Sequence, residues 1–393
     1  MVSSLNNPTL HHLIRDRVLE SPQQRITFAD YMNLALYHPQ KGYYSGGNVG
    51  IGSQGDFFTA SSLGSDFGEL LAEQFAQTWE ILGRPNTFTL VEMGAGQGQC
   101  AGDIIRHLQT HYLELCEVAE YIIIEQSPAL IERQKAHLQQ WLEAGINLQW
   151  KTWSEIEAES IVGCCFSNEL IDAFPVHQVI KKDGELQEIY VTISDEKFTE
   201  TIDELSTPKL KEYFEKIDID ILSPTYPNEY RTEVNLAALK WLETIANKLK
   251  QGYLLTIDYG YPAHRYYNPR RDRGTLQCYY QHRRHNNPYV NLGQQDITAH
   301  VDFTALERQG EQYGLNNIGS TQQAIFLMAL GLGNRLAELS GGELNIQQTL
   351  KRRDALHQLI DPNGLGGFNV LVQSKGLNES QLQQDLKGLA FPA

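Results

Sequence analysis

"LVEMGAGQGQC", residues Leu90 to Cys100, is the stretch on which the fold turns. A hydrophobic run and an acid lead directly into Gly94, Gly96 and Gly98. Glycine inside a regular element costs stability, so a cluster of it marks backbone that turns tightly or lies against something. A strand that ends in such a loop and then opens a helix is suited to anions and nucleotides, because bare N–H groups and the helix N-terminus favour negative charge.

Outward from this loop, short apolar runs alternate with helical patterns. "FTLVEM", "YIIIEQ", "IVGCCFSN", "YLLTIDY" and "FNVLVQSK" read as strands of an α/β fold, a mostly parallel sheet covered on both faces. The spacing predicts one helix from the Ser127 cap to Gly145, with Leu130, Gln134, Leu138 and Trp141 on a shared face. A second is predicted over "EVNLAALKWLETIANKLKQG", ended by Gly252, and a third over "SDFGELLAEQFAQTWEILG". Residues of about 176–230 interrupt the alternation with a strand pair turning at Asp183-Gly184, then an acidic helix and a proline-bearing loop. The resulting division is a cap on the substrate side over 1–85 and a domain over 86–393, which carries that insertion and a lid at about 261–295.

Composition narrows the function classes. Hydrophobic residues are 41% and charged residues 20% of the 393, as in an ordinary globular protein. A formal net charge of -16 argues against a body that coats nucleic acid or an anionic membrane and suits a cationic partner. The five cysteines form no CxxC pair, which is simplest in a reduced compartment. With no signal-peptide or presequence pattern at the N-terminus, a cytoplasmic location is expected.

Two ligand classes compete for the glycine loop. Dinucleotide sites use G-x-G-x-x-G, whereas here the spacing is G-x-G-x-G and Gln99 takes the place of the third glycine. Glu92 would repel a pyrophosphate. It suits S-adenosyl-L-methionine, which carries an ammonium and a sulfonium. Glu125, with Gln126 beside it, ends the second strand, where a carboxylate can accept hydrogen bonds from ribose hydroxyls. The competing reading is a tight turn packed on the sheet and a surface glutamate; adenine would fall near Trp153 or Ser154. At the end of "IVGCCFSN" stands "SNELIDAFP", so Asn168, Glu169 and Asp172 would face the same crevice and align a nitrogen nucleophile. A helix N-cap with acids in its first turn would also account for them.

The pieces "YHPQKGYY", "GDFFTA", "VEMGAGQG", "NELIDAFPVHQ", "IDYGY", "GTLQCYYQH", "GQQDITAHVDF" and "FNVLVQSKG" together resemble the MidA family of S-adenosylmethionine-dependent methyltransferases over nearly the whole chain. The resemblance implies a class I methyltransferase (Rossmann-like) fold, with seven strands and the last antiparallel. It implies protein arginine as methyl acceptor and the catalytic subunit of a respiratory complex I-like NADH dehydrogenase as target; the methyl transfer itself, an in-line displacement, requires no metal. Residue by residue it makes Glu92, Gly94, Gly96 and Gly98 the cofactor loop and Glu125 the ribose acid. Asp56 and Phe57 would lie against cofactor or substrate, and Asn168, Glu169 and Asp172 form the acidic catalytic motif. Arginine stays protonated, so its methylation needs carboxylates that hold the guanidinium and take up a proton. Glu169 is the first candidate and Asp172 the second; Asp258 and Asp296 are further candidates or buried structural acids, and His282 and His300 are ambiguous. The stretch from His264 to Tyr289 interleaves arginines and histidines with tyrosines, so an RNA methyltransferase is the alternative enzyme. A non-catalytic, cofactor-binding assembly chaperone is the alternative from another class.

Overall fold

The computed structural model describes residues 7–46, 59–339, 341 and 345–390. Its main sheet has seven strands, β1 (Phe88–Met93), β2 (Ala119–Ile124), β3 (Leu148–Lys151), β4 (Ile161–Asn168), β5 (Leu249–Asp258), β6 (Asn316–Gln322) and β7 (Asn369–Lys375). Their spatial order is β6-β7-β5-β4-β1-β2-β3. The pairs among β5, β4, β1, β2 and β3 are parallel, and β7 runs antiparallel to both β5 and β6. All five expected strands belong to this sheet. The sequence named no run for β3, a four-residue edge strand that is mostly half-buried, or for β6, whose "NNIGSTQ" carries no apolar run because it is an edge strand with mostly exposed or half-buried residues.

Alternation along each strand feeds two cores. From β1, Phe88 and Leu90 face one side, together with Phe67, Leu71 and Phe75 of helix α1 (Asp66–Ile81) and Ile104 and Leu108 of α2 (Gln99–His111). Val91 and Met93 face the other, with Trp241, Leu242 and Ile245 of α4 (Leu236–Lys248). The predicted helix over 127–145 is broken: α3 spans Pro128–His137, and a short turn of helix follows over Gln139–Glu143. Leu138 is fully buried at the break, where a Cβ on Gly98 or Gly102 would come within 3.2 or 3.3 Å of its methyl groups. Gly252 does not end α4. It lies inside β5, where a Cβ would fall 1.9 Å from the Gly163 carbonyl oxygen, so its bareness serves a close strand approach.

The insertion is a second sheet. Strands His177–Lys182 and Glu185–Ser194 pair around Asp183 and Gly184, both with positive φ as a tight hairpin requires. A further strand, Lys197–Asp203, extends it where only a helix and loop were expected, and Tyr230–Val234 flanks the other side. Ile26–Thr27 pairs with Glu185–Ser194, which ties the N-terminal residues to the insertion. Leu10, Ile14, Phe28 and Tyr31 pack there against Val191, Phe198, Leu292 and Ile297. Asp66–Ile81, within the expected 1–85 cap, instead packs in the core of the main sheet. No helix among the described residues is long and apolar enough to cross a membrane.

Candidate active site

At the carboxyl ends of β1, β2 and β4 lies a cavity of about 470 Å3. Its walls include Glu92, Gly94, Gly96, Glu125, Gln126, Asn168, Glu169 and Asp172, so eight of the sequence candidates converge on one space. Gly98 does not line it; with φ +84 it caps the start of α2 and faces Leu138. Asp56 and Phe57 lie outside the described residues. Thr59 and Ala60 of the same motif do reach the site, Thr59 in the wall and Ala60 through a backbone N–H that donates to Glu169 Oε1 at 3.1 Å.

The glycine loop is held by its own neighbours. Gly94 (φ +71) donates its N–H to the Ile124 carbonyl at 3.0 Å, and Gly96 has φ +54. Gln134, fully buried on α3, donates Nε2 to the Gly96 carbonyl at 2.9 Å and to Glu125 Oε2 at 3.3 Å, while its Oε1 accepts from Trp150 Nε1 at 2.8 Å. One side chain therefore joins loop, acid and third strand. Sequence reading placed Gln134 on a packed face but missed this role; a glutamine in an otherwise apolar helix face was the available signal. Truncating it leaves three part-buried polar groups without this partner, so Gln134→Ala is expected to lose about 1–3 kcal/mol of stability, measurable by denaturant unfolding.

Glu125 Oε1 accepts the N–H groups of Gln126 and Ser127 at 2.8 and 2.9 Å, so the acid is oriented by the start of α3. Burial raises its pKa, and those two N–H groups oppose the rise. Glu92 is buried beneath the loop and accepts from the Tyr121 hydroxyl at 2.8 Å. Burial lifts its pKa to about 7, against the pull of that hydrogen bond. A cation above it would favour the charged form.

The acidic motif follows β4 as expected, in a short 3-10 turn over Ile171–Ala173. Glu169 takes φ +50, a conformation that is sparsely populated for a side chain of its kind, and its N–H is tied to the Ile257 carbonyl at 2.9 Å. Its Oε1 accepts from Ala60 N and, at 3.2 Å, from Asn168 Nδ2. Burial raises its pKa to about 8, with Asp172 adding to the rise. Asp172 Oδ2 accepts from the Tyr259 hydroxyl, and its Oδ1, like Asn168 Oδ1, is buried without a hydrogen-bond partner among the described residues. Two orphaned acceptors in the wall of one cavity are a place for a donor-rich ligand.

Asp258 is a structural acid. It is fully buried, and its Oδ2 accepts the N–H groups of Leu170, Ile171 and Asp172, which fixes the acidic turn. Asp296 instead lines the cavity, held by the Tyr44 hydroxyl at 2.8 and 2.9 Å. Tyr37 stacks on Tyr44 with centroids 5.4 Å apart, and its hydroxyl donates to the Ala173 carbonyl at 2.8 Å. "YHPQKGYY" thus roofs the acidic end. Trp153 is also in the wall, whereas Ser154 is not. His300 is half-buried and stacked on Tyr261, and burial lowers its pKa to about 4, so it is neutral at physiological pH.

A bare loop at the strand edge, an acid in the same cavity wall at the end of the next strand and orphaned acceptors opposite fit S-adenosyl-L-methionine, and with the sheet they define a class I methyltransferase. Residues 70–321 match the model of a family described as "S-adenosyl-L-methionine-dependent methyltransferase". The chain belongs to that family, and S-adenosyl-L-methionine is its cofactor. It is 32% identical to a Burkholderia thailandensis protein crystallised with S-adenosyl-homocysteine, over 98% of this chain and 95% of that one, with a TM-score of 0.85. It is also 27% identical to "Protein arginine methyltransferase NDUFAF7 homolog, mitochondrial" of Drosophila melanogaster, over 91% of this chain and 84% of that protein. The Homo sapiens protein arginine methyltransferase NDUFAF7, mitochondrial, is 26% identical over 97% and 87%. Both of these relatives are named as mitochondrial, so the cytoplasmic expectation finds no support in them.

Proposed function

We propose that this methyltransferase acts on the guanidinium nitrogen of a protein arginine, with a catalytic subunit of a complex I-like NADH dehydrogenase as its target. The observation that carries the reading is the acidic end of the cavity, where Glu169, Asp172 and Asp296 meet beside the cofactor loop. Relatives named protein arginine methyltransferases support it.

S-adenosyl-L-methionine supplies an electrophilic methyl group when bound. Glu92, Gly94, Gly96, Glu125 and Gln126 are its holders in this reading. Glu169 and Asp172 receive the guanidinium, and the Asn168 carbonyl orients the attacking nitrogen by accepting one of its hydrogens. Glu169 takes the proton released as the new N–C bond forms. The Tyr259 hydroxyl keeps Asp172 in place, and Tyr37 and Tyr44 exclude water.

The test is mass spectrometry of the NADH dehydrogenase-like complex from cells with and without the protein. A methyl-arginine lost with the protein is the expected result; an unchanged arginine pattern refutes the target. An RNA carrying a methyl group that vanishes instead would establish the alternative enzyme.

A further inference from the structure

Between Ala263 and His285 the chain carries six arginines and a single acid, Asp272, inside a protein of net charge -16. Nine arginines elsewhere, such as Arg25, Arg106, Arg231 and Arg352, pair with carboxylates. None of the six does so among the described residues. Arg265 and Arg271 lie over the Tyr261 ring, at 5.3 and 4.5 Å from its centroid. Arg270, Arg273, Arg283 and Arg284 are exposed, with no carboxylate taking up their charge.

The hairpin's register says where this charge points. Arg284 stands directly opposite Tyr279, and Tyr279 stands directly opposite Asp296. Residues directly opposite across antiparallel strands share a sheet face. Asp296 lines the cavity, so Arg284 projects on the cavity side. Two strand spacings place it about 10 Å from Asp296. Burial raises the Tyr279 pKa; Arg284 opposes the rise and Asp172 and Asp296 add to it, so all three charges act on one hydroxyl.

We propose that Arg284, with Arg283 on the same strand, docks an acidic residue of the protein substrate about three positions from the acceptor arginine, since an extended chain advances about 3.3 Å per residue. The inference rests on the arginine reading above and names the sequence around that arginine. The site is then bipolar: anionic where the guanidinium enters, cationic one short step away. Nucleic acid is the weaker occupant because single-stranded recognition needs aromatic faces to stack on. Tyr266 and Tyr267 are buried, Tyr261 is taken by Arg271 and His300, and Tyr279 and Tyr280, opposite Arg284 and Arg283, are half-buried.

The probe is a fluorescein-labelled alanine-glycine nonapeptide with a central arginine and aspartates three residues to either side, titrated into the full chain saturated with S-adenosyl-homocysteine. It is expected to bind about fivefold more tightly than its asparagine counterpart at low salt, the worth of one good exposed ion pair, and to lose that margin at high salt. In R284E, alone or with R283E, the preference should reverse toward a lysine-flanked peptide. Equal binding of the aspartate and asparagine peptides, no measurable binding of the aspartate peptide, or a preference that survives both substitutions overturns the docking role. A citrulline in place of the central arginine separates the two readings: undiminished binding with the aspartate preference intact sinks arginine as acceptor and leaves the docking site standing. A single-stranded oligouridylate that binds more tightly than the peptide, and is lost in R284E, overturns protein docking in favour of RNA.

Discussion

Glu169→Gln is expected to reduce kcat by about 10²- to 10⁴-fold, the usual span for removing a positioned general base, while S-adenosyl-L-methionine still binds within about twofold. Glutamine keeps the shape and keeps an oxygen for the Ala60 N–H, so the turn has little reason to move. What it lacks is charge and a place for the proton. The pH dependence sharpens the test. Burial holds the Glu169 pKa at about 8 before the acceptor arrives. A guanidinium favours the carboxylate, so acceptor binding must expel a proton at lower pH. The acceptor KM should therefore fall as pH rises through about 8 in the native enzyme and stay level in E169Q. Radiolabel transfer at several pH values and calorimetry with the cofactor give both numbers. Activity within fivefold of native, with the pH slope retained, would move the base to Asp172.

The sheet was readable because burial on both faces writes itself as apolar runs, and β1, β2, β4, β5 and β7 all carry one. β6 is an edge with few apolar residues, and Lys197–Asp203 has charges and threonines throughout; neither leaves that mark. The helix break at Leu138 depends on two glycines some forty residues upstream, a contact no local window contains. The same distinction runs through the site. Residues that must sit next to one another in sequence, the glycine loop and "NELID", were legible. Those assembled from afar were not: Gln134 gains its role from Gly96, Glu125 and Trp150, and Tyr44 from Asp296. Asp258 shows why residue type alone misleads. A buried acid after a strand can serve catalysis or hold a turn, and only its four N–H donors assign it to the second.

Gly94→Val is expected to weaken S-adenosyl-L-methionine binding by more than about a hundredfold, because two costs combine at one atom. Gly94 has φ +71, and a β-branched side chain there costs about 1–2 kcal/mol in backbone strain alone. Its Cβ would also lie 2.7 Å from the Leu170 methyl. That methyl is the end of a flexible side chain and can move, but Leu170 lines the cavity, so relief of the clash pushes it into the volume the ligand needs. The strain is separable from the obstruction. Gly83 has φ +83, a Cβ on it would meet no neighbour within 4 Å, and it lies away from the cavity. Gly83→Val should lower the Tm by a similar few degrees and leave the ligand's Kd unchanged. If both substitutions bind S-adenosyl-homocysteine alike in calorimetry, the loop is only a turn, and the cofactor's seat must be sought elsewhere along the cavity wall.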